Sequence, residues 1–406
     1  LAPAIHLAEQ GFPVSPITAY FWQRAAQGLL QQACNGVELT LDGRGPHPGE
    51  IFRNPGLAHT LRCIAEGGKQ AFYQGEIAES IAAIVQEAGG CLTQTDLAAH
   101  TSTWQPPLSL PYRQQRVWEC PPNGQGLAAL IALNILSNFD LAALPPLSPA
   151  RLHLQIEALR LAFADAFACI ADPDFAPAPL SALLDPHYGA QRARLIHPQR
   201  ALPEVTHGAP PSVSDTVYFC VVDGQGNACS FINSNYMGFG TGIVPRGYGF
   251  SLQNRGHNFS LDPTSVNALA PGKRPYHTII PALLTDAAGQ LLGPFGVMGG
   301  FMQPQGHVQI AIALCDDQLD PQAALERPRF CLEPLRPNTP VTVALEEGIP
   351  LPVMSALAEM GHRVRPVSGL SRSLFGRGQI ILRHPHTGVL CGGSDPRADG
   401  CAMPLG

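Results

Sequence analysis

The stretch Ser214-Asp-Thr-Val-Tyr-Phe-Cys-Val-Val-Asp223 divides this sequence into two halves of different character. Valine, tyrosine, phenylalanine and threonine are enriched in β-strands. A second β-rich run, Ala228–Asn233, follows after the turn-forming residues Gly224-Gln-Gly-Asn227. Two such runs joined by a short glycine-containing turn predict a hairpin. The hairpin opens the strand-rich half of the chain.

The residues before the hairpin predict mainly helices. Apolar residues recur at helical spacing in Ile17–Gln32, in Phe72–Ala88 and in Arg151–Cys169,. Residues 173–215 are rich in proline and polar side chains, which is typical of a linker,. A helix-rich half followed by a strand-rich half indicates an α+β or a layered α/β fold.

Further elements are predicted on both sides of the hairpin. Pro366 would confine its strand to a sheet edge, because proline cannot donate a ladder hydrogen bond. The predicted strands are Leu108–Cys120 (two, around a turn), Ile279–Leu284, Gln290–Val297, Arg363–Val367 and Gly378–Arg383, and the helices include Leu127–Leu136, Gly306–Asp317 and Pro350–Met360.

Composition excludes several classes of protein. The chain of 406 residues carries 25 basic and 31 acidic side chains, a net charge of −6. Without a basic excess to neutralise a phosphate backbone, nucleic acid is not an expected partner. No stretch approaches the ~18 apolar residues that a membrane span requires.

Cysteines and short motifs give no sign of a bound metal or cofactor. The 11 cysteines are scattered and form no CxxC pair, which disfavours a structural zinc site. GxSxG, GxxxxGK[ST] and HExxH patterns are all missing,. We therefore predict neither a metal nor an organic cofactor. Reduced thiols favour a cytoplasmic location; a periplasmic one stays open, because the chain starts at Leu1 and not at a methionine.

Thr216 is the first candidate for chemistry. It lies where a proline-rich segment meets a predicted buried strand. If the bond before it were cut, its new α-amino group would sit beside its own hydroxyl and could act as the general base. The alternative is that Thr216 simply begins a β-strand, where threonine is common.

Two further segments carry groups suited to catalysis. Gly299 and Gly300 follow a predicted strand, and paired glycines can aim two N–H groups at a developing oxyanion. Residues 271–278 concentrate a lysine, an arginine, His277 and Thr278. The alternatives are a glycine turn without a ligand and a solvated basic loop.

Taken together, these segments resemble the γ-glutamyltransferase family of N-terminal-nucleophile (Ntn) hydrolases. Many blocks in the same order carry the resemblance, and they extend over the whole chain from Leu1. The principal ones are Pro48-Gly-Glu-Ile-Phe-Arg-Asn-Pro55, Gly89-Gly-Cys-Leu-Thr-Gln-Thr-Asp96, Ile156-Glu157, Asp172-Pro173, Asp215-Thr216, Val221-Val-Asp-Gly-Gln-Gly-Asn227, Phe239-Gly-Thr-Gly242, Pro271-Gly-Lys-Arg-Pro275, Gly299-Gly300 and Ser394-Asp-Pro-Arg397.

The resemblance implies an αββα four-layer sandwich, an α+β fold, and self-cleavage between Asp215 and Thr216. It divides the chain into a mainly helical large piece, 1–215, and a strand-rich catalytic piece, 216–406, which stay associated. Thr216 would form an acyl-enzyme with an amide, such as a γ-glutamyl compound or a glutathione-like peptide. Water or an amine would take the acyl group, with Gly299 and Gly300 as the oxyanion hole.

Other site residues are also implied by the resemblance, with departures from the family pattern. Ser234 stands where the family usually has a second threonine that orients the nucleophile, so a hydroxyl is retained. On the substrate side, Asn258 replaces an aspartate that pairs with the glutamyl α-ammonium. An amide cannot offer the charge-assisted hydrogen bond of a carboxylate. The remaining substrate-binding candidates are Asn235 and Tyr236, where the family has an asparagine, and His277 and Thr278, where it has paired serines.

Three functional hypotheses follow. The first is a γ-glutamyltransferase-like amidohydrolase or transferase. The second, motivated by Asn258, is an acylase for amides without an α-amino group, like the cephalosporin acylases. The third is an unprocessed, inactive paralogue or fragment, because family members carry a substantial region before the block that matches Leu1. On this view the αββα fold would be incomplete at its N-terminus.

Overall fold

Helices dominate before the hairpin and strands after it, as the sequence predicts. The computed structural model describes residues 1–203, 214–333 and 340–404. These form two compact units, one made of Leu1–Trp104 with Asn235–Asn254 and one made of Gln105–Ser234 with Arg255–Gly406. The predicted division before Thr216 concerns a peptide bond and not a packing boundary, and it stays a prediction.

The first unit is mainly helical. One of its apolar clusters joins Ile77 and Ile81 to Tyr248. The predicted helix Ile17–Gln32 is broken in two, because Gly28 takes the non-helical angles φ −131° and ψ −87°. The elements are α1 (Ala2–Gln10), β1 (Phe12–Pro13), α2 (Pro16–Ala26), α3 (Leu29–Gln32), a 3-10 turn (Gly36–Leu39), β2 (Ile51–Phe52), α4 (Pro55–Tyr73), α5 (Glu76–Glu87) and α6 (Gln94–Ala98).

The second unit contains the large sheet and most of the core. Its strands are β3 (Leu108–Tyr112), β4 (Gln115–Glu119), β5 (Ser214–Val222), β6 (Ala228–Met237), β7 (Ala282–Asp286), β8 (Leu291–Met298), β9 (Phe330–Glu333), β10 (Thr342–Glu346), β11 (Arg363–Val367), β12 (Arg377–Arg383) and β13 (Leu390–Ser394), where β6 runs on into the first unit. Its helices are α7 (Gly126–Leu136), α8 (Pro149–Cys169), α9 (Leu180–Leu183), α10 (Pro186–Ala193), α11 (Met302–Cys315), α12 (Pro321–Glu326) and α13 (Leu351–Glu359), with 3-10 turns at Arg255–Asn258 and Gly369–Phe375.

Six antiparallel strands form the central sheet in the order β13-β12-β8-β7-β4-β3. Successive residues of a strand point to opposite faces, and β8 shows what covers each face. A Cβ on Gly306 of α11 would meet Val297 at 2.7 Å, whereas a Cβ on Gly296 would meet the Tyr218 ring of β5 at 2.6 Å. Helix α11 therefore covers one face and the β5–β6 sheet the other, which gives helix, sheet and sheet layers and confirms the α+β class.

Strand β5 alternates between the interior and water. Thr216 and Tyr218 are buried, while Val217, Phe219 and Val221 are 56%, 44% and 45% exposed. On the outer face the Phe219 and Phe231 rings stack with 4.7 Å between their centroids. The alternation places the hydroxyl of Thr216 on the side of the large sheet.

A second sheet, β11-β10-β9, holds Pro366 in its edge strand β11, as predicted. The sequence analysis missed β9, β10 and β13. It also missed α10, which lies inside the predicted linker 173–215. Residues 204–213 of that linker lie outside the described part of the chain. Helix α11 begins four residues earlier than expected, because Pro304 lies in its first turn, where the missing N–H costs little,.

A cluster of buried ion pairs links the ends of β9, β10 and β13 to the 3-10 turn Gly369–Phe375. We call it the ion-pair network; its members are Glu346, Asp395, Arg329, Arg397 and Arg372. Arg397 donates to both oxygens of Glu346 at 2.6 Å, and Arg329 contacts Asp395 at 2.8 Å. Burial would raise the pKa of Asp395, but the guanidinium groups of Arg329 and Arg397 hold it below its ordinary value.

The described residues contain no helix of the length and apolarity needed to cross a lipid bilayer. All 11 cysteines are free thiols.

Candidate active site

The hydroxyl of Thr216 directly contacts that of Ser234, the residue expected to orient it. It is the third residue of β5 and is 5% exposed. Its Oγ1 lies 2.8 Å from Oγ of Ser234 on the neighbouring strand β6, and either hydroxyl can donate the hydrogen bond. Adjacent strands bring the two residues together although they are 18 positions apart.

Arg255 extends this contact into a network. It begins the 3-10 turn Arg255–Asn258 and is 6% exposed. Its Nη2 donates to the backbone oxygen of Ser234 at 3.2 Å, and its Nη1 donates to Oγ1 of Thr278 at 2.9 Å. We call Thr216, Ser234, Arg255 and Thr278 the hydroxyl network. The sequence analysis did not single out Arg255, because it stands in no motif with a periodic or spacing signal.

His277 lies next to this network as a neutral ring. Burial, followed by the positive charge of Arg255, lowers the pKa of His277 from 6.5 to about 3. The Nδ1 atom accepts a hydrogen bond from the Ile279 N–H at 3.4 Å, which requires a lone pair on that nitrogen,. His277 therefore presents a neutral imidazole and not a cation near pH 7.

Asn258 closes the 3-10 turn and is anchored by its amide nitrogen. Its Nδ2 donates to the backbone oxygen of Tyr276 at 3.0 Å. Its Oδ1 is buried and has no hydrogen-bond partner within the described residues. The side chain therefore offers a neutral acceptor where the resemblance would place a carboxylate.

Gly299 and Gly300 form the junction between β8 and α11. Their φ angles are 144° and 59°, a backbone geometry that glycine adopts without strain,. Met302 N–H donates to Gly299 O at 3.0 Å, so the chain enters the helix at once. The partial positive charge of a helix N-terminus therefore lies beside both glycines.

Asn235 and Tyr236 belong to the first compact unit, unlike the other candidates. Asn235 donates from Nδ2 to Oγ of Ser251 at 3.0 Å, and its backbone oxygen accepts from Asn254 N–H at 3.1 Å. Tyr236 is fully buried and has φ 78°, which is uncommon for a residue with a side chain,. Their assignment to substrate binding stays a prediction.

One buried cluster in the described part of the chain has the residue types of a metal site: His153, Glu157 and His362, with ligand atoms within 4.8 Å of one another. These atoms already serve protein hydrogen bonds. His153 Nε2–H donates to His197 O at 2.8 Å, and its Nδ1 lies 2.8 Å from His362 Nε2. Glu157 accepts from Leu202 N–H at 2.7 Å. Hydrogen bonds within the protein therefore hold all three side chains, and short-motif searches could not have found this cluster.

Comparison with known proteins identifies the family. The sequence profile of the gamma-glutamyltranspeptidase family matches residues 1–405. The chain belongs to the γ-glutamyltranspeptidase family. A glutathione hydrolase-like YwrD proenzyme of Bacillus subtilis is 36% identical over 99% of this chain and 75% of that protein. An oxamate amidohydrolase proenzyme of Klebsiella pneumoniae is 35% identical over the same shares of the two chains.

Comparison with a solved structure leads to the same family. A cephalosporin acylase from Bacillus halodurans superposes on 100% of this chain and 74% of its own, with a TM-score of 0.89 and 44% sequence identity. This member of the family therefore has the Ntn-hydrolase fold and is related to Ntn amidohydrolases. These relatives carry names for different activities, so family membership leaves the substrate open.

Proposed function

We propose that this protein is an amidohydrolase that cuts its own chain before Thr216 and then uses Thr216 as an N-terminal nucleophile. The observation that carries the proposal is the 2.8 Å contact between the hydroxyls of Thr216 and Ser234 on a buried strand. A buried, hydrogen-bonded hydroxyl is held in one orientation, which a nucleophile requires.

The proposed maturation needs no other protein group as nucleophile. Oγ1 of Thr216 attacks the carbonyl carbon of Asp215, and the acyl group moves from nitrogen to oxygen. Water then hydrolyses this ester, which frees the carboxylate of Asp215 and the α-amine of Thr216. The large and small pieces, 1–215 and 216–406, remain associated because β4 of the large piece pairs with β7 of the small piece in the central sheet.

In the proposed catalytic cycle the new α-amine takes the hydroxyl proton as Oγ1 attacks the substrate carbonyl. The N–H groups of Gly299 and Gly300 donate to the oxyanion that develops, supported by the N-terminus of α11. The amine product leaves with the proton, and water hydrolyses the remaining ester of Thr216. An amine acceptor in place of water would give transfer instead of hydrolysis.

For the acyl donor we propose an amide without an α-ammonium group, such as the monoamide of a dicarboxylic acid. Asn258 supports this, because its Oδ1 is neutral and would pair only weakly with an ammonium,. The relatives named for oxamate amidohydrolase and cephalosporin acylase activity support it as well.

A second candidate donor is a γ-glutamyl compound, including glutathione-like peptides. It is supported by the family match and by the similarity to a glutathione hydrolase-like proenzyme. Comparing the hydrolysis of glutaryl-p-nitroanilide and γ-glutamyl-p-nitroanilide separates the two. A strong preference for the γ-glutamyl compound would refute our donor proposal and leave the nucleophile in place.

The test of the nucleophile is the intact mass of the purified chain under denaturing conditions. We expect two fragments that meet between Asp215 and Thr216, and a single 43.2 kDa species for Thr216→Ala. Thr216→Ser is the matched control, because it keeps the hydroxyl and should still be cut. An uncut wild-type chain without amidase activity would instead support an inactive paralogue or fragment.

A further inference from the structure

Gln125 belongs to the second unit and lies in a loop that has no role so far in the proposed mechanism. It precedes α7 and is fully buried. Its backbone N–H donates to the backbone oxygen of His277 at 3.0 Å. This hydrogen bond holds the loop against the segment that carries His277 and Thr278.

The side-chain amide of Gln125 joins two carbonyl groups that are 22 positions apart in the chain. Its Nε2 donates to Thr278 O at 2.7 Å and to Gly300 O at 2.8 Å. Both partners are acceptors, so the nitrogen must face them. The amide oxygen in turn accepts from the Tyr276 hydroxyl at 3.4 Å. The whole amide is thus fixed in one orientation.

One of these carbonyls sets the conformation of Gly300. A glycine with φ 59° is free to adopt many other conformations unless both flanking peptide planes are held,. The plane before Gly300 is held by the bond from Met302 N–H to Gly299 O at 3.0 Å. The plane after it is held by Gln125 at 2.8 Å and by Gln303 N–H at 3.2 Å.

The other carbonyl leads to the nucleophile. Thr278 accepts from Arg255, which also donates to the Ser234 carbonyl. Ser234 in turn contacts Thr216 through the two hydroxyls. Gln125 is therefore the side chain through which this hydrogen-bond path joins the hydroxyl network to the glycine pair.

We propose that Gln125 is a positioning residue that sets the oxyanion-binding glycines relative to Thr216. The inference rests on the proposed function and deepens it. An oxyanion hole acts only on the transition state, and an error of about 1 Å in its placement can cost roughly 10²-fold in rate. Loss of the two bonds from Nε2 should therefore slow the chemical step without weakening substrate binding.

The test compares Gln125→Met with Gln309→Met. Gln309 is a matched control: it is also buried, and its Nε2 donates to two carbonyls, Gln305 O and Phe330 O, both at 3.0 Å. Met is similar in length to Gln and has no donor. For each variant we would measure kcat and KM for the better anilide, the melting temperature, and hydrogen exchange in peptides spanning residues 299–303.

We expect Gln125→Met to lower kcat and kcat/KM together by about 10²-fold, with KM unchanged and faster exchange at 299–303. The melting temperature should fall by a similar amount in Gln309→Met and in Gln125→Met, because each variant loses two buried hydrogen bonds. Gln309→Met should nevertheless keep kcat within about threefold, because its bonds go to neither the glycines nor the hydroxyl network,. A wild-type kcat in Gln125→Met, a loss confined to KM, or an equal loss in Gln309→Met would each overturn the proposal.

Two further measurements keep the proposal testable if Gln125→Met does not fold or if the wild-type chain is inactive. If Gln125→Met does not fold, Tyr276→Phe removes only the hydroxyl that orients the amide, and a wild-type kcat there would count against the proposal. If the wild-type chain has no amidase activity, the proposed function fails on its own. Hydrogen exchange would still decide whether Gln125 holds the glycine pair.

Discussion

The hydroxyl network and the ion-pair network are both buried in the second unit, yet they are built from different groups. The ion-pair network matches three guanidinium groups with two carboxylates, and several of these contacts are 2.6–3.0 Å long. The hydroxyl network has two threonines, a serine and one guanidinium that donates to neutral oxygens. Ion pairs dominate the first network, and the hydrogen bonds of the second are all made to neutral oxygens.

The difference teaches which network supports structure and which supports chemistry. Paired buried charges resist rearrangement, because breaking one contact leaves an uncompensated charge. A hydroxyl that is hydrogen-bonded to another neutral hydroxyl, as Thr216 is to Ser234, keeps its proton available and its oxygen ready to react. We therefore expect substitutions in the hydroxyl network to act on activity and substitutions in the ion-pair network to act on stability.

The largest expected effect is on activity. Thr216→Ala should lower amidase activity by roughly 10⁴-fold or more, because no other group can form the acyl-enzyme. The melting temperature should change little, since only a hydroxyl and a methyl group are lost. Activity with the better anilide and a thermal melt check both. Substantial turnover by Thr216→Ala would remove this residue from the mechanism.

The next effect is on stability. Glu346→Gln should cost about 3–5 kcal/mol, because it removes the buried carboxylate that pairs with both Arg397 and Arg372 and leaves only Asp395 to balance the guanidinium groups of the network,. Glu347→Gln is the matched control: its pair with Arg372 is 46% exposed on the glutamate side and should contribute less than about 1 kcal/mol,. Urea unfolding measures both. Equal costs at the two positions would contradict the contrast drawn between buried and exposed pairs.

Acid should destabilise the protein through His277. Its pKa in the folded chain, about 3, lies below the ordinary 6.5, so the unfolded chain takes up the proton first as the pH falls,. The contribution is therefore complete above pH 6.5 and is lost towards pH 3. It amounts to about 2 kcal/mol between pH 7 and pH 5.

The His277→Asn variant tests this titration. Asparagine keeps an acceptor oxygen near the position of Nδ1 but does not titrate, so its stability should fall less between pH 7 and pH 5. Urea midpoints at the two pH values measure the difference, and the exposed His384→Asn should behave as wild type. An unchanged acid response in His277→Asn would show that this ring is not buried in its neutral form.

The smallest effect concerns the partner hydroxyl. Ser234→Ala should lower kcat by about tenfold, in line with the loss of one orienting hydrogen bond,. Ser234→Thr should stay close to wild type, since it keeps the hydroxyl. Steady-state kinetics decide this, and an Ala variant as active as the Thr variant would remove Ser234 from the hydroxyl network's function.

Much of the fold could be predicted because local patterns carry it. Alternating and β-branched residues predict the β5–β6 hairpin, and a run that is apolar except for Asn134 predicts α7. Helix α10 was missed because Pro186 looks like a helix breaker. In fact Asp185 caps the helix through His187 N–H at 2.7 Å and the proline stands in its first turn, where it is favourable,.

The site was predictable only in part, for a related reason. Thr216 and the glycine pair have chemical signatures in the sequence, and Ser234 came from the family resemblance. Arg255 and Gln125 act mainly through backbone carbonyls supplied by distant segments, such as Gly300, which is 175 positions from Gln125. A contact between a side chain and a remote backbone leaves no spacing pattern in a single sequence.

The packing of Tyr218 on Gly296 has a consequence for the proposed chain cut. A newly made chain end normally frays, because its first residues lose the restraint of the preceding peptide bond. Here the new end would begin two residues before a ring that is buried against the central sheet and whose hydroxyl lies 2.8 Å from that of Ser230. The packing of Tyr218 would thus fix the new N-terminus in place before the chain is cut. The reactive amine would therefore form in the position in which it acts.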